Sequence, residues 1–247
     1  MIRNFVCIAV LGSAIWAQAP VLNGRFILAE EGGSSARLGL LTFDGAGNVA
    51  GTEYVQASGL TQSIPVTGSY AVGADGSGTL KLSTQIATED GPAPAAAAVY
   101  DFLAAKAGGF LAIRRDSASA TVAELIPASA ATSFTGAFVL ADEGVSPSGQ
   151  SVAEIGRLDL KGDGSLSGRI VLKHNGVSAV KTVEGSYVAD GSGFGAMKIS
   201  APLAADEDGG VVMQTTSYVF LATARQELIA LRTDNSLLGL ARMEPAQ

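Results

Sequence analysis

Gly68-Ser69-Tyr70-Ala71-Val72-Gly73-Ala74-Asp75-Gly76-Ser77-Gly78-Thr79-Leu80-Lys81-Leu82-Ser83 returns 117 positions later as GSYVADGSGFGAMKIS, Gly185 to Ser200. Each version has two short strand-like segments joined by a turn rich in Asp and Gly. Glycine reaches positive φ without a Cβ clash, so the stretch reads as a β-hairpin. Helical signals are nearly absent. The fold is therefore predicted to be all-β.

Outward from this hairpin the rest of the chain is duplicated in the same order. Asn23 to Gly32 (NGRFILAEEG) returns 112 positions later as Thr135 to Gly144 (TGAFVLADEG). Gly39 to Gly51 returns 117 later, as Gly156 to Gly168. Tyr100-Asp101-Phe102-Leu103-Ala104 matches Tyr218 to Ala222, and Leu111 to Asp116 matches Ile229 to Asp234, both at a spacing of 118. The offset drifts only in predicted connections, where EEGGSSAR becomes DEGVSPSGQSVAE and in the TEDGPAPA region. Folded units tolerate insertions at such places. The boundary is expected near Ala128 to Thr132, giving repeats over 20–130 and 131–247.

Turn signals recur about every 10 to 14 residues, as in a barrel or sandwich. Strands are predicted near 24–30, 36–43, 48–56, 64–72, 78–86, 97–105, 109–115 and 121–126, with equivalents in the second copy. Eight short strands joined by hairpins favour an antiparallel up-and-down sheet, and closing it removes both exposed edges. Two tandem eight-stranded β-barrels are the first expectation, with a β-sandwich as the alternative. Phe102 to Ala105 and Leu228 to Leu231 are apolar on both faces, which fits two barrels packed on each other.

The N-terminus has the three parts of a secretory signal over residues 1–19. Arg3 supplies the positive charge, Phe5 to Trp16 the apolar run, and Ala17-Gln18-Ala19 the small residues. The apolar run is too short to span a bilayer as a helix. Its removal would take away the single cysteine, Cys7, and the single tryptophan, Trp16. A mature chain without cysteine has no disulfide, thiol nucleophile or thiolate metal site. One histidine, His174, cannot supply a multi-histidine metal cluster. Removing Arg3 leaves 15 basic and 23 acidic residues, 15 − 23 = −8. That balance disfavours nucleic acid as a partner, because such binding relies on Lys and Arg at phosphates. The chain is thus expected to be secreted, periplasmic or extracellular.

No catalytic constellation stands out, and neither a metal nor a cofactor is assigned. Asp44-Gly45-Ala46-Gly47-Asn48 lacks the alternating carboxylates and distal Glu of a calcium loop, and its duplicate has Lys161 at the position of Asp44. His174 lies in a predicted turn with no counterpart in the first copy. In a meander the connections alternate between two ends, and one end is predicted to be loop-rich. Variable loops on a rigid scaffold are where binding residues concentrate. The candidate binding residues at that rim are Glu30, Glu31 and Arg114 in the first copy and Asp142, Glu143 and Arg232 in the second. Glu89, Asp90 and Asp206 to Asp208 share the same end. Tyr70/Tyr187 and Tyr100/Tyr218 recur within strands, either lining a cavity with hydroxyls or packing.

The Gly-Ser-Tyr and Asp-Gly-x-Gly pattern, repeated behind a signal segment, resembles uncharacterised secreted bacterial tandem β-repeat proteins. It resembles more loosely the calycin-type barrels, lipocalins and avidins. That resemblance is one of architecture and implies an eight-stranded barrel. Asn23-Gly24-Arg25-Phe26 departs from the lipocalin pattern by lacking tryptophan, and no tryptophan remains after cleavage to line an avidin-type pocket. Neither ligand class carries over. The expectation is an exported noncatalytic protein that binds an unknown small molecule or protein through its rims. The alternatives are an enzyme using rim carboxylates and a 16-stranded outer-membrane barrel.

Overall fold

A computed structural model describes residues 22–32, 34–84, 87–88, 91–92, 96–105, 108–117, 121–146, 148–174, 177–205, 211–234 and 236–247. The predicted signal segment lies outside the described residues. In the first copy the strands are β1 (Asn23–Gly32), β2 (Ser35–Asp44), β3 (Asn48–Ala57), β4 (Leu60–Val72) and β5 (Ser77–Thr84). After a two-stranded ribbon of β6 (Ala87–Thr88) and β7 (Gly91–Pro92) come β8 (Ala96–Ala104), β9 (Phe110–Arg114) and β10 (Val122–Pro127). In the second copy they are β11 (Gly136–Val145), β12 (Ser151–Leu160), β13 (Ser165–His174) and β14 (Val177–Ala189), then β15 (Phe194–Ala205), β16 (Val211–Ala222), β17 (Leu228–Arg232) and β18 (Leu240–Pro245).

Each copy is a closed antiparallel barrel. β1 pairs with both β2 and β10, and β11 with both β12 and β18, so neither sheet has a free edge. Two closed barrels replace the alternatives of a sandwich and a single 16-stranded sheet. Every predicted strand has an observed one at its place.

The expected difference in loop length between the two ends is smaller than the sequence suggests. Glu30, Glu31, Asp142 and Glu143, expected in rim loops, belong to strands that run on toward the turns. β3 and β4 are joined by Ser58-Gly59 alone, both at positive φ (51° and 75°). This is the twist-matched type I′ arrangement that a two-residue hairpin favours. In the tight turn after β2, Asp44 accepts hydrogen bonds from the Ala46 and Asn48 amides at 2.7 and 2.9 Å. A bond from the Asn48 side-chain amide, together with these two, holds the Asp44 carboxyl below its ordinary range.

An eight-stranded barrel is just wide enough to be filled by its own side chains, and both lumens are packed. Phe26, Leu28, Leu41, Phe43, Leu80, Leu82, Phe102, Phe110 and Leu125 fill the first. Phe138, Leu140, Leu158, Leu160, Met197, Phe220, Leu228 and Met243 lie among the core residues of the second. The rings set local backbone choices. A Cβ at Gly78 would stand 2.3 Å from the Phe102 ring, and one at Gly195 would stand 2.2 Å from the Phe220 ring. The tight end is plugged by a residue shortly before the first strand, Leu22 in one copy and Phe134 in the other, both buried. The Tyr70 hydroxyl donates to the Leu22 carbonyl at 2.6 Å, and the Tyr187 hydroxyl bonds the Phe134 carbonyl.

A third core lies between the barrels. Outward residues Ile27, Ala29, Ala36 and Leu38 of β1 and β2 meet Leu221, Ile229 and Leu231 of β16 and β17. Tyr54 stacks on Phe194 with centroids 5.2 Å apart. The Gln56 side-chain amide donates to the Leu237 carbonyl at 2.8 Å, and Arg242 pairs with Glu124 at 2.9 Å. β17 is buried along its whole length because one face looks into its lumen and the other onto the first barrel. Full burial of a large aliphatic side chain stabilises by about 1.5–3 kcal/mol. The fragment 20–130 is therefore expected to melt below the full chain or to self-associate, because Ile27 and Leu38 lose their cover. Calorimetry and gel filtration of that fragment decide the point; a monomer with the melting temperature of the full chain refutes it.

Candidate functional site

Alternation within the strands sends one candidate of each neighbouring pair inward and the other outward. In the first barrel Phe26, Leu28 and Glu30 form the inner row of β1, so Glu30 enters the lumen and is 1% exposed. Arg114 reaches it from β9, Nη1 lying 3.1 Å from Glu30 Oε1. Arg37 of β2 adds a second cation, 3.6 Å from Glu30 and 3.2 Å from Glu53 of β3. The Tyr100 hydroxyl donates to the Glu30 carboxylate. Asp116 grips the other side of the Arg114 guanidinium at 2.8 Å and accepts from the Val99 amide at 2.8 Å.

The second barrel repeats the plan with altered parts. Arg232 Nε lies 2.7 Å from Asp142 Oδ2, and Tyr218 donates to the same oxygen at 2.9 Å. The Arg232 guanidinium stands 5.4 Å over the Tyr218 ring, a cation–π arrangement. Its Nη2 contacts Glu154 Oε2 at 2.7 Å. Ser236, anchored by Asp234, accepts from Nη1 at 3.0 Å.

Of the six candidates, the structure thus joins Glu30 with Arg114 and Asp142 with Arg232 inside the two lumens. Glu31 and Glu143 point outward instead. They line an open groove of about 500 Å³ between the barrels, together with Val122, Glu124, Leu240 and Arg242. Desolvation pushes the Glu31 carboxyl above its ordinary range, and the nearby Glu143 and Asp142 carboxylates push the same way. Glu89, Asp90 and Asp206 to Asp208 lie outside the described residues.

Arg37, Glu53 and Glu154 are network members that the sequence reading passes over. Their signal is a charge on an inner row: Phe43, Leu41 and Gly39 lead to Arg37, and Leu160, Leu158 and Gly156 to Glu154. Gly39 makes the room, since a Cβ there would stand 2.9 Å from Glu53 Cγ. Gly156 does the same for Ile170, whose Cγ2 would be 2.6 Å away. Arg37 and Glu154 occupy matching positions with opposite charge. Glu53 matches Ile170, and buried Ile64 matches Lys181, which shares a recess with Glu154. Each inner layer therefore holds two acids and two bases: Glu30 and Glu53 with Arg37 and Arg114, and Asp142 and Glu154 with Arg232 and Lys181.

The recess beside Glu154, Lys181, Gln214 and Tyr218 measures about 20 Å³, space for roughly one water. Burial of Tyr100 and Tyr218 beside carboxylates raises both phenols far above the ordinary tyrosine range, so they act as donors. Arg114 and Arg232 are held charged by their partners, through the Asp116 hydrogen bond first for Arg114 and, against the desolvation that opposes it, through the Asp142 and Glu154 carboxylates for Arg232. Mutual ion pairing, with guanidinium groups fixed from several sides, suits support of the barrel mouth. No protein-family model matches the chain, and no curated protein matches its sequence.

Removing one partner of a buried ion pair leaves the other charge uncompensated, at a cost of about 3–5 kcal/mol. Arg232→Met should lower stability by that order, read from urea unfolding at neutral pH. A loss below about 1 kcal/mol, as for an exposed pair, would show that the network is not structural. Burial pushes the Glu53 carboxyl upward, opposed by Arg37 and assisted by Glu30. The folded state then binds this proton more tightly than the unfolded one, whose ordinary value is 4.5. Its contribution is present below that value and is lost as pH rises through the raised folded pKa. Unfolding midpoints measured from pH 4 to 8 should fall less steeply with rising pH in Glu53→Gln than in the wild type.

Proposed function

We propose that the protein is an exported, noncatalytic interaction protein that makes its contacts with the outside of its barrels and their rims. The observation that carries this reading is the state of the lumens. Aromatic and aliphatic side chains fill them, a plug closes one end, and a charge-balanced network occupies the other. A lumen ligand needs a cavity of some 300 Å³ or more, and the recess in the second barrel has space for about one water.

The same network argues against the reading of an enzyme using rim carboxylates. A paired-carboxylate hydrolase needs two acids facing a substrate with water between them. Here Glu30 and Asp142 face arginine and tyrosine, which would have to be displaced first. Export is supported by the residues 1–19 pattern of Arg3, an apolar run and small residues. The partner favoured is a protein surface, because apolar side chains on the outer sheets, Leu103, Leu111, Ile113 and Val122 among them, are more than half exposed.

Titration with a panel of small apolar and polar ligands tests the lumen directly, with tyrosine fluorescence and melting temperature as readouts. Tyr100 and Tyr218 inside the networks should report no stoichiometric binder. A ligand that binds one per barrel, perturbs these tyrosines and raises the melting temperature would overturn the reading.

A further inference from the structure

The contact between the barrels is heterologous: the β1–β3 face of the first barrel receives the β16–β18 face of the second. Because the barrels are copies, each also carries the face that its neighbour uses, and neither of these is covered in a single chain. The counterparts of Leu221, Ile229, Leu231 and Leu240 are Leu103, Leu111, Ile113 and Val122. The strand registers match pair for pair. Leu221 opposes Ile229 and Leu231 opposes Leu240, as Leu103 opposes Leu111 and Ile113 opposes Val122. Leu221, Ile229 and Leu231 are at most 1% exposed, whereas all four first-barrel residues are 53–62% exposed. On the other side, the counterparts of Ile27, Leu38 and Tyr54 are Val139, Ile155 and Val171. These too stand exposed on one sheet, with Ile155 paired to Val171 as Leu38 is to Tyr54.

We infer that the free β8–β10 face of one molecule docks on the free β11–β13 face of a second copy, repeating the contact already made within each chain. This names the partner of the outer-face reading above and rests on it. Charge supports the assignment. Where the internal contact has Val219 flanking the shared core, the free first-barrel face has Asp101. Where the internal contact has Leu40, Thr52 and Gln56, the free second-barrel face has Arg157, Arg169 and Lys173, all exposed. The contact thus brings the Asp101 carboxylate to a face that bears Arg157, Arg169 and Lys173. Asp101 is held by Arg115 at 3.3 Å and Arg157 by Asp159 at 3.8 Å, both on the surface, where ion pairs exchange partners at little cost.

A heterologous contact does not saturate in a dimer; it continues into a ring or a filament. In the sheet order β9 and β2 are three strand positions apart. Two neighbours on one barrel therefore sit well separated, and the row of barrels turns at each step.

Sedimentation of the purified protein from micromolar to millimolar concentration, with two single variants, tests this. Ile113→Asp blocks the first-barrel face and Ile155→Asp the second-barrel face; both positions are exposed, so the variants should melt like the wild type. The wild type is expected to reach at least twice the monomer mass. Each variant alone should stay monomeric, and their equimolar mixture should form two-chain complexes and nothing larger, since each supplies the face the other lacks. Asp101→Lys should weaken self-association about tenfold, with recovery when it is mixed with Arg157→Asp. A wild type that remains monomeric throughout, or association that persists in either blocked variant, overturns the inference. A monomeric wild type with an empty lumen would leave the outer-face reading standing with a different protein as partner.

Discussion

Closure of an eight-stranded sheet fixes a lumen only as wide as the side chains that line it, and most features of this protein follow from that limit. Every inward position must be apolar and complementary, or polar and satisfied by another inward residue. Apolar packing solves the problem at the plugged end and through the middle. At the other end the chain uses ionised groups, which are tolerable in a dry interior only when opposite charges and hydrogen bonds surround them. Hence Arg114 and Arg232 are each held by a carboxylate, Glu30 and Asp142, and the tyrosine hydroxyl of each barrel turns toward the same carboxylate.

The outer surface obeys a looser rule. Residues there need only suit whatever they face, so the two copies diverge most on the outside. β17 faces a protein core on both sides and is apolar from Leu228 to Leu231. The matching β9 carries the same apolar rhythm, Leu111 and Ile113, with solvent in place of a partner. Conservation of the pattern without conservation of the cover separates this surface from scattered exposed residues, which are ordinary on any protein.

Much of the architecture is legible in the chain because duplication doubles each weak signal. The Gly-Ser-Tyr hairpins mark β4 with β5 and β14 with β15, and constant spacing within blocks marks the strands. Loop lengths are less legible, since Glu30 and Glu31 read as rim residues while their backbone continues the β1 ladder. The site is half legible. Arg114 and Arg232 stand out as repeated cations near repeated carboxylates, but a one-residue alternation decides that Glu30 is buried and Glu31 is not. Arg37 and Glu154 escape a search for repeated residues because the duplicated position holds opposite charges. Only the three-dimensional inner row shows that each is compensated there, Arg37 by Glu53 in one barrel and Glu154 by Arg232 in the other.

That reciprocal change bears on how tandem copies avoid entangling. Two sheets whose strands largely match in length and register, β1 to β4 with β11 to β14 above all, are at risk of exchanging segments while the chain collapses. If β2 took the place of β12, the second interior would hold Arg37, Arg232 and Lys181 against Asp142 alone, three bases to one acid. The reverse exchange would place Glu154 with Glu30 and Glu53 against Arg114, three acids to one base. Either hybrid strands two unpaired charges away from water, so the interior salt pattern works as a private key that lets each half accept only its own strands.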